Sequence, residues 1–265
     1  MSVTLFSWGY WGWGSATSQL VKAVDTAERK RGFRPPIFVD IRLRRQGHAR
    51  GFVGNAFRDV IRAPRYRWIG CLGNEYIGTG KTGIKIKCPE ATAELLDLAI
   101  HAAKHRRRIV FYCACEFPWY KGKRRCHRDA VTELLLAEAE KRGRSISVVE
   151  WPGGRPVEAR LKVDQELFRS VMSGRWNIPF GDNKLRAFAG LPWGSVLTLE
   201  SAENGDQQLV AVGPPMFATS KSGRAGGHWQ LPVFMQAEAG QQKASLARDV
   251  EQWRRQCGLH ERRAG

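Results

Sequence analysis

Three hydrophobic runs in this chain each end in residues able to do chemistry. Val3–Trp8 runs into Gly9-Tyr10-Trp11-Gly12-Trp13-Gly14. Ile37–Val39 runs into Asp40-Ile41-Arg42. Ile109–Cys113 runs into Ala114-Cys115-Glu116, and Cys126-His127-Arg128 follows shortly after. If the runs are parallel strands, all three clusters gather at the carboxyl edge of one sheet, where open α/β sheets bind ligands. Asp40, Glu116 and Tyr10 are then the candidate catalytic residues. Tyr10, Trp11 and Trp13 could clamp a base by stacking. The competing reading is an aromatic loop that merely covers the sheet edge.

Asp40 and Arg42 point to the same face by alternation. Together they read either as a structural ion pair or as a carboxylate beside a phosphate-gripping stretch that continues through Arg44 and Arg45. His127 and Arg128 fall at a helix N-terminus, which favours anions. The Cys and His spacing suggests zinc. Against this, Cys113 and Cys115 alternate along a strand and should face opposite sides, and no Cys-x-x-Cys knuckle is present. No metal and no cofactor is therefore expected. A thiolate at Cys115 or Cys126, lowered in pKa by His127 or Arg128, is an alternative. So is simple packing of small sulfur side chains.

Two phosphate-binding motifs fail. Gly9-Tyr10-Trp11-Gly12 lacks the G-x-G-x-x-G spacing. Gly78-Thr79-Gly80-Lys81-Thr82-Gly83 would need a first glycine at position 75, which is Glu75, and no helix pattern follows it. Lys81 reads instead as part of a flexible basic loop touching a nucleic-acid backbone.

The elements that must position these residues alternate strand and helix. Strands are expected at Val3–Trp8, Ile37–Arg42, Tyr66–Leu72, Ile109–Cys115 and Ser145–Trp151. Helices are expected at Ser18–Arg31, Asn55–Ile61, Pro89–Lys104 and Arg128–Lys141. The fold class is α/β: a Rossmann-like, mostly parallel sheet with helices on both faces over residues 1–151, with a small α+β extension over residues 152–265. In the extension, Val163–Met172 and Gln241–Cys257 read as helices. Ser195–Glu200 and Gln207–Val212 read as a hairpin around Asn204-Gly205.

Forty-three Lys+Arg against 25 Asp+Glu give a net charge of +18, so polyanions, above all nucleic acid, are the expected partners. A 43% hydrophobic fraction excludes wholesale disorder. No run is long enough for a membrane helix, no basic amphipathic helix is evident, and Met1-Ser2-Val3 does not open a signal peptide. A cytoplasmic protein is expected, and the six cysteines are not expected to form a disulfide framework.

The same positions resemble the domain-of-unknown-function 488 family: Gly9-Tyr10, Asp40-Ile41-Arg42, Leu72-Gly73, and Cys113-Ala114-Cys115-Glu116 with Cys126-His127-Arg128. The resemblance covers about the first 150 residues. The chain departs from it by the insertion Phe117–Arg125 and by the tail after Trp151. The resemblance implies an α/β fold and no settled activity.

The function these residues favour is a DNA-acting enzyme, a glycosylase hydrolysing the N-glycosidic bond of an ordinary or modified base, in repair or in defence against foreign DNA. An oxocarbenium-like sugar needs a nearby carboxylate, and the base must be turned out of the helix. The alternatives are a non-catalytic nucleic-acid reader, or a thiol or zinc enzyme built on Cys115, Cys126 and His127.

Overall fold

The structure, a computed structural model, describes residues 3–11, 16–47, 49–219, 227–238 and 240–264. It divides into two units, Met1–Trp151 with Gln256–Gly265, and Pro152–Arg255.

The first unit alternates β1 (Val3–Gly9), α1 (Thr17–Lys30), β2 (Ile37–Asp40), α2 (Ala56–Ile61), β3 (Tyr66–Trp68), α3 (Thr92–Lys104) and β4 (Ile109–Cys113). A two-stranded ribbon, β5 (Trp119–Tyr120) and β6 (Lys123–Arg124), comes next, then α4 (His127–Lys141) and β7 (Ile146–Glu150). The second unit contributes β8 (Glu158–Val163), α5 (Gln165–Met172), β9 (Asn177–Phe180), α6 (Asp182–Phe188), β10 (Ser195–Ser201), β11 (Gln207–Val212), β12 (Met216–Thr219), β13 (Gly227–Gln236) and α7 (Lys243–Gln256). The last strand, β14 (Arg262–Ala264), belongs to the first unit.

The first unit is α/β with a largely parallel sheet, in the order β14-β7-β1-β4-β2-β3. Every pairing from β7 to β3 is parallel, and β14 joins β7 antiparallel. The chain's end, read from sequence as part of the extension, therefore returns to the first unit. Its three-residue strand hydrogen-bonds along the otherwise open edge of β7.

Strands β2 and β4 are buried at every position, as a parallel sheet covered on both faces demands. On one face, Leu5, Val39, Ile109, Phe111 and Val148 pack in one cluster with Leu95, Leu96 and Ala99 of α3 and Val131, Leu135 and Ala139 of α4. The spacing of those helical residues puts them on one stripe of each helix. The opposite face is aromatic. Trp8 meets Phe38, Phe52 and Tyr112, Tyr112 meets Phe52, and Phe38 and Tyr112 also meet Phe57 of α2, with ring centroids 5.2–6.5 Å apart. Helix α1 covers this side through Leu20, Val21, Val24 and Ala27 and places Glu28 between Arg31 and Arg108.

Three strands stop two or more residues earlier than expected from sequence, and the first, β2, ends at Asp40 instead of Arg42. Instead of running from Tyr66 to Leu72, β3 ends at Trp68, and a single tight turn, Gly70–Leu72, follows. Trp68 folds back against Gly70 and donates from Nε1 to the Arg42 carbonyl at 2.9 Å, which ends the extended run. Strand β4 ends at Cys113, two residues before the expected end.

The second unit is built on a six-stranded mixed sheet, with β12, β13, β11, β10 and β8 in order and β9 also pairing with β13. Strands β10 and β11 form a hairpin in the register Ser195↔Val212 to Glu200↔Gln207. Helix α5 starts at Gln165, after Asp164, whose Oδ1 accepts from the Leu167 amide at 2.7 Å; Val163 belongs to β8 instead. Its core is Val171, Ile178, Leu197, Leu199, Val210 and Leu231. No helix among the described residues is long and apolar enough to cross a membrane.

Leu135 is fully buried where α4 meets the sheet. Leu135→Ala is expected to lower the unfolding free energy by about 2–5 kcal/mol, read from urea denaturation, because the site cannot close around the lost volume.

Candidate functional site

Strand β4 lies between β1 and β2, so the ends of all three are neighbours. Two backbone bonds carry the ladder past the strand ends: Tyr10 N to Cys113 O at 3.0 Å, and Ile41 N to Tyr112 O at 3.2 Å. Tyr10, Asp40, Arg42, Cys113 and the residues after Cys113 thus share the carboxyl edge.

Asp40 and Arg42 form a closed pair. Arg42 donates from Nε to Asp40 Oδ1 at 2.8 Å and from Nη2 to Oδ2 at 2.6 Å, and its backbone amide adds a third bond to Oδ1 at 3.1 Å. Nη1 reaches the Tyr10 hydroxyl at 2.7 Å, and Nη2 also reaches the Phe52 carbonyl at 2.7 Å. The Tyr66 hydroxyl donates to Asp40 Oδ2 at 3.2 Å. Tyr10 stacks flat on Phe52, with centroids 4.0 Å apart. Asp40 is 0% exposed, Tyr10 3% and Arg42 6%, so the structure brings these three together but seals them from solvent. Burial raises the pKa of the Tyr10 hydroxyl; burial alone would lower that of Arg42, but Asp40 raises it. The ion-pair reading of Asp40 and Arg42 describes this geometry.

Beyond Cys113 the chain turns instead of extending, and the Cys115 amide donates back to Cys113 Sγ at 3.3 Å. The alternation that would separate Cys113 from Cys115 therefore does not operate. Gly9 makes the turn possible. A Cβ there would collide with the Cys115 carbonyl and Arg128 Nη1, and would lie 2.7 Å from the Glu116 carbonyl oxygen. Cys126 is the N-cap of α4; its sulfur accepts from the Arg128 amide at 3.4 Å and lies 3.0 Å from Cys113 Sγ.

Arg128 is fully buried and donates to the Cys115 carbonyl at 2.9 Å and the Glu116 carbonyl at 3.1 Å. It also pairs with Glu150 at 3.1 Å. It is an internal cross-link, not a surface grip for phosphate. His127 is buried too, with Nε2 3.1 Å from the Ile41 carbonyl. Glu150, the partner of Arg128, was not singled out in the sequence. The only hint of it was a charge ending an apolar strand.

The sulfurs differ electrostatically. Hydrogen bonds from Cys113 and Cys126, with Arg128 and His127 nearby, hold the Cys115 thiol far below its ordinary pKa. Burial raises Cys113 well above its ordinary value and pushes Cys126 up to about 12. A sulfur of Cys113, a sulfur of Cys126 and a ring nitrogen of His127 all lie within 4.8 Å of one another.

The remaining candidates face outward. Glu116 is half-buried, burial raises its carboxyl pKa, and among the described residues its carboxylate makes no hydrogen bond or ion pair. Trp11 is 54% exposed. Trp68, missed in the sequence because it sat inside an expected strand, is 47% exposed, with the Arg45 guanidinium 4.6 Å above its ring. Arg45 also donates to Asn55 at 2.7 Å, and Arg44 is exposed. Lys81 is exposed on the loop after β3, with its ammonium 5.5 Å over the Tyr76 ring. Trp13 lies outside the described residues.

Removing the Asp40 charge leaves Arg42 buried and under-bonded. Asp40→Asn is expected to cost about 3–5 kcal/mol of stability in a denaturant titration. Gly9→Ala should lower the melting temperature and expose the Cys113 and Cys126 thiols to alkylation in the native state, because backbone carbonyls occupy the space a methyl needs.

Comparisons with protein-family models, with curated proteins and with solved structures return no match to this chain, and they neither strengthen nor weaken the resemblance noted above.

Proposed function

We propose that the carboxyl edge of this sheet is the active site of a DNA-acting hydrolase that cleaves the N-glycosidic bond of a base, with Glu116 as its carboxylate. Glu116 itself carries this reading. It is half-buried and free of ion pairs among the described residues, on an edge where the other carboxylate, Asp40, is sealed by Arg42. The register Gly9↔Cys113 places Trp11 two residues and Glu116 three residues past one rung of the ladder. An exposed stacking surface and the carboxylate thus belong to the same edge of the sheet.

We read the parallel sheet as Rossmann-like, with its ligand crevice at the strand ends. The net charge of +18 supplies the attraction for a polyanion. Arg44 and Arg45 hold phosphates, and Trp11 and Trp68 offer ring faces to an unstacked base. A base turned out of the duplex brings its sugar C1′ to Glu116. The carboxylate stabilises the positive charge that develops on the sugar and orients a water. The water oxygen bonds to C1′, the C1′–N bond breaks, and the base leaves with the electron pair and a proton.

The test is formation of abasic sites in ordinary and modified duplex DNA. Glu116→Gln keeps the shape and removes the charge, so the rate should fall about 10²–10³-fold while DNA binding persists. Full activity in this variant overturns the role of Glu116. An unmodified protein that binds DNA but makes no abasic sites on any substrate is a non-catalytic reader. Binding itself should weaken with salt, the slope of log K on log salt being about −0.9 per phosphate contacted in duplex DNA. Trp11→Ala should weaken binding by about 1–3 kcal/mol if one base stacks there.

A further inference from the structure

We infer that Cys113, Cys115, Cys126 and His127 form a closed, four-ligand site for one soft divalent cation of the zinc class, a structural metal that pins the turn after β4 to the start of α4. The inference does not depend on the glycosidic reading, because Cys113, Cys126 and His127 are buried and need touch no substrate.

Geometry comes first. Two sulfurs and one imidazole nitrogen from Cys113, Cys126 and His127 lie within 4.8 Å of one another. A tetrahedral zinc with bonds of about 2.0–2.3 Å holds its ligand atoms under about 4 Å apart, so the three are already near their places. Cys115, whose amide already donates to Cys113 Sγ at 3.3 Å, sits on the turn beside these three and completes the set as the fourth ligand when its thiol rotates inward. Two ligands come from the end of β4 and the turn after it and two from a helix start, with the ten residues 116–125 closing the loop between them.

Burial keeps Cys113 and Cys126 protonated without a metal, yet hydrogen-bond donors are already aimed at their sulfurs, as metal-bound thiolates require. The Cys115 amide donates to Cys113 Sγ at 3.3 Å, and the Arg128 amide donates to Cys126 Sγ at 3.4 Å. Cys126 caps the N-terminus of α4, where the helix dipole is positive. The Arg128 guanidinium is buried beside the cluster. Apolar packing of thiols needs none of these donors. The orientation of His127 agrees. A carbonyl only accepts, so Nε2 carries the hydrogen in its bond to Ile41, and a neutral ring keeps its lone pair on Nδ1. Metal-bound histidines are held this way, by a hydrogen-bond acceptor on the nitrogen that does not bind the metal. Binding requires thiolates, so loading the site releases the thiol protons to solvent and no electron is transferred.

The experiment uses the full chain purified without chelator. Elemental mass spectrometry should find one zinc per chain. Replacement by cobalt should give the thiolate-to-metal charge-transfer absorption and the d–d bands of a tetrahedral sulfur-rich site. Cys113→Ser and Cys126→Ser should abolish that absorption. If these variants do not fold, the native protein still decides. With metal bound, Cys113, Cys115 and Cys126 should resist iodoacetamide and become labelled after chelation, while exposed Cys71 is labelled in both states. A chain that takes up neither zinc nor cobalt, or takes up cobalt with no sulfur charge transfer, overturns the inference. So does a Cys113–Cys126 disulfide in the freshly purified protein.

Discussion

A guanidinium with no water around it has to be answered by the protein, and in this chain that guanidinium is Arg128. It is 0% exposed, and three separate parts of the first unit meet on it: the turn after β4 through the carbonyls of Cys115 and Glu116, β7 through Glu150, and β1 through the bare backbone of Gly9. A lone buried charge is far costlier than a paired one, so each of these contacts must form for the others to be tolerable. The residues of the site inherit their places from this constraint. Cys115 and Glu116 sit where they do because their carbonyls point at Arg128.

A second buried cation, Arg42, organises the neighbouring strand end on the same principle. It is bonded to Asp40, the Tyr10 hydroxyl and the Phe52 carbonyl. Arg42 lies just past β2 and Arg128 in the first turn of α4, and between them they tie the ends of β1, β2, β4 and β7 into a polar floor. The outward-facing groups, Glu116, Trp11, Trp68 and Arg45, are mounted on that floor. Rigid support is what a reacting group requires, since small misplacements cost large factors in rate.

Much of the sheet was legible because periodicity is a local signal. Ile37–Asp40 and Ile109–Cys113 are continuous apolar runs, and α3 and α4 carry their apolar residues at helical spacing. Strand ends were less legible, because they depend on contacts far away in sequence. Trp68 ends β3 by bonding the carbonyl of Arg42, and Cys115 turns back because Gly9 leaves room for it. The site residues were legible by type and misjudged by exposure. Asp40, Arg42, His127 and Arg128 were picked out for their chemistry, yet nothing local in the sequence marks their partners. Glu150 closes the pair with Arg128 from the end of the last parallel strand, and Phe52 offers its carbonyl to Arg42 from a loop.

The short strand β14 makes the second unit an insertion, since β7 precedes that unit and β14 follows it. A ribosome finishes β7 about a hundred residues before it makes the strand that covers it. In the interval, Ile146 to Val148 offer an unpaired edge to any other extended chain. The growing polypeptide therefore passes through a stage in which most of its first unit is present but one margin stays adhesive. Ordering of the inserted unit brings the two ends of that gap within reach of each other and so governs how long the adhesive stage lasts.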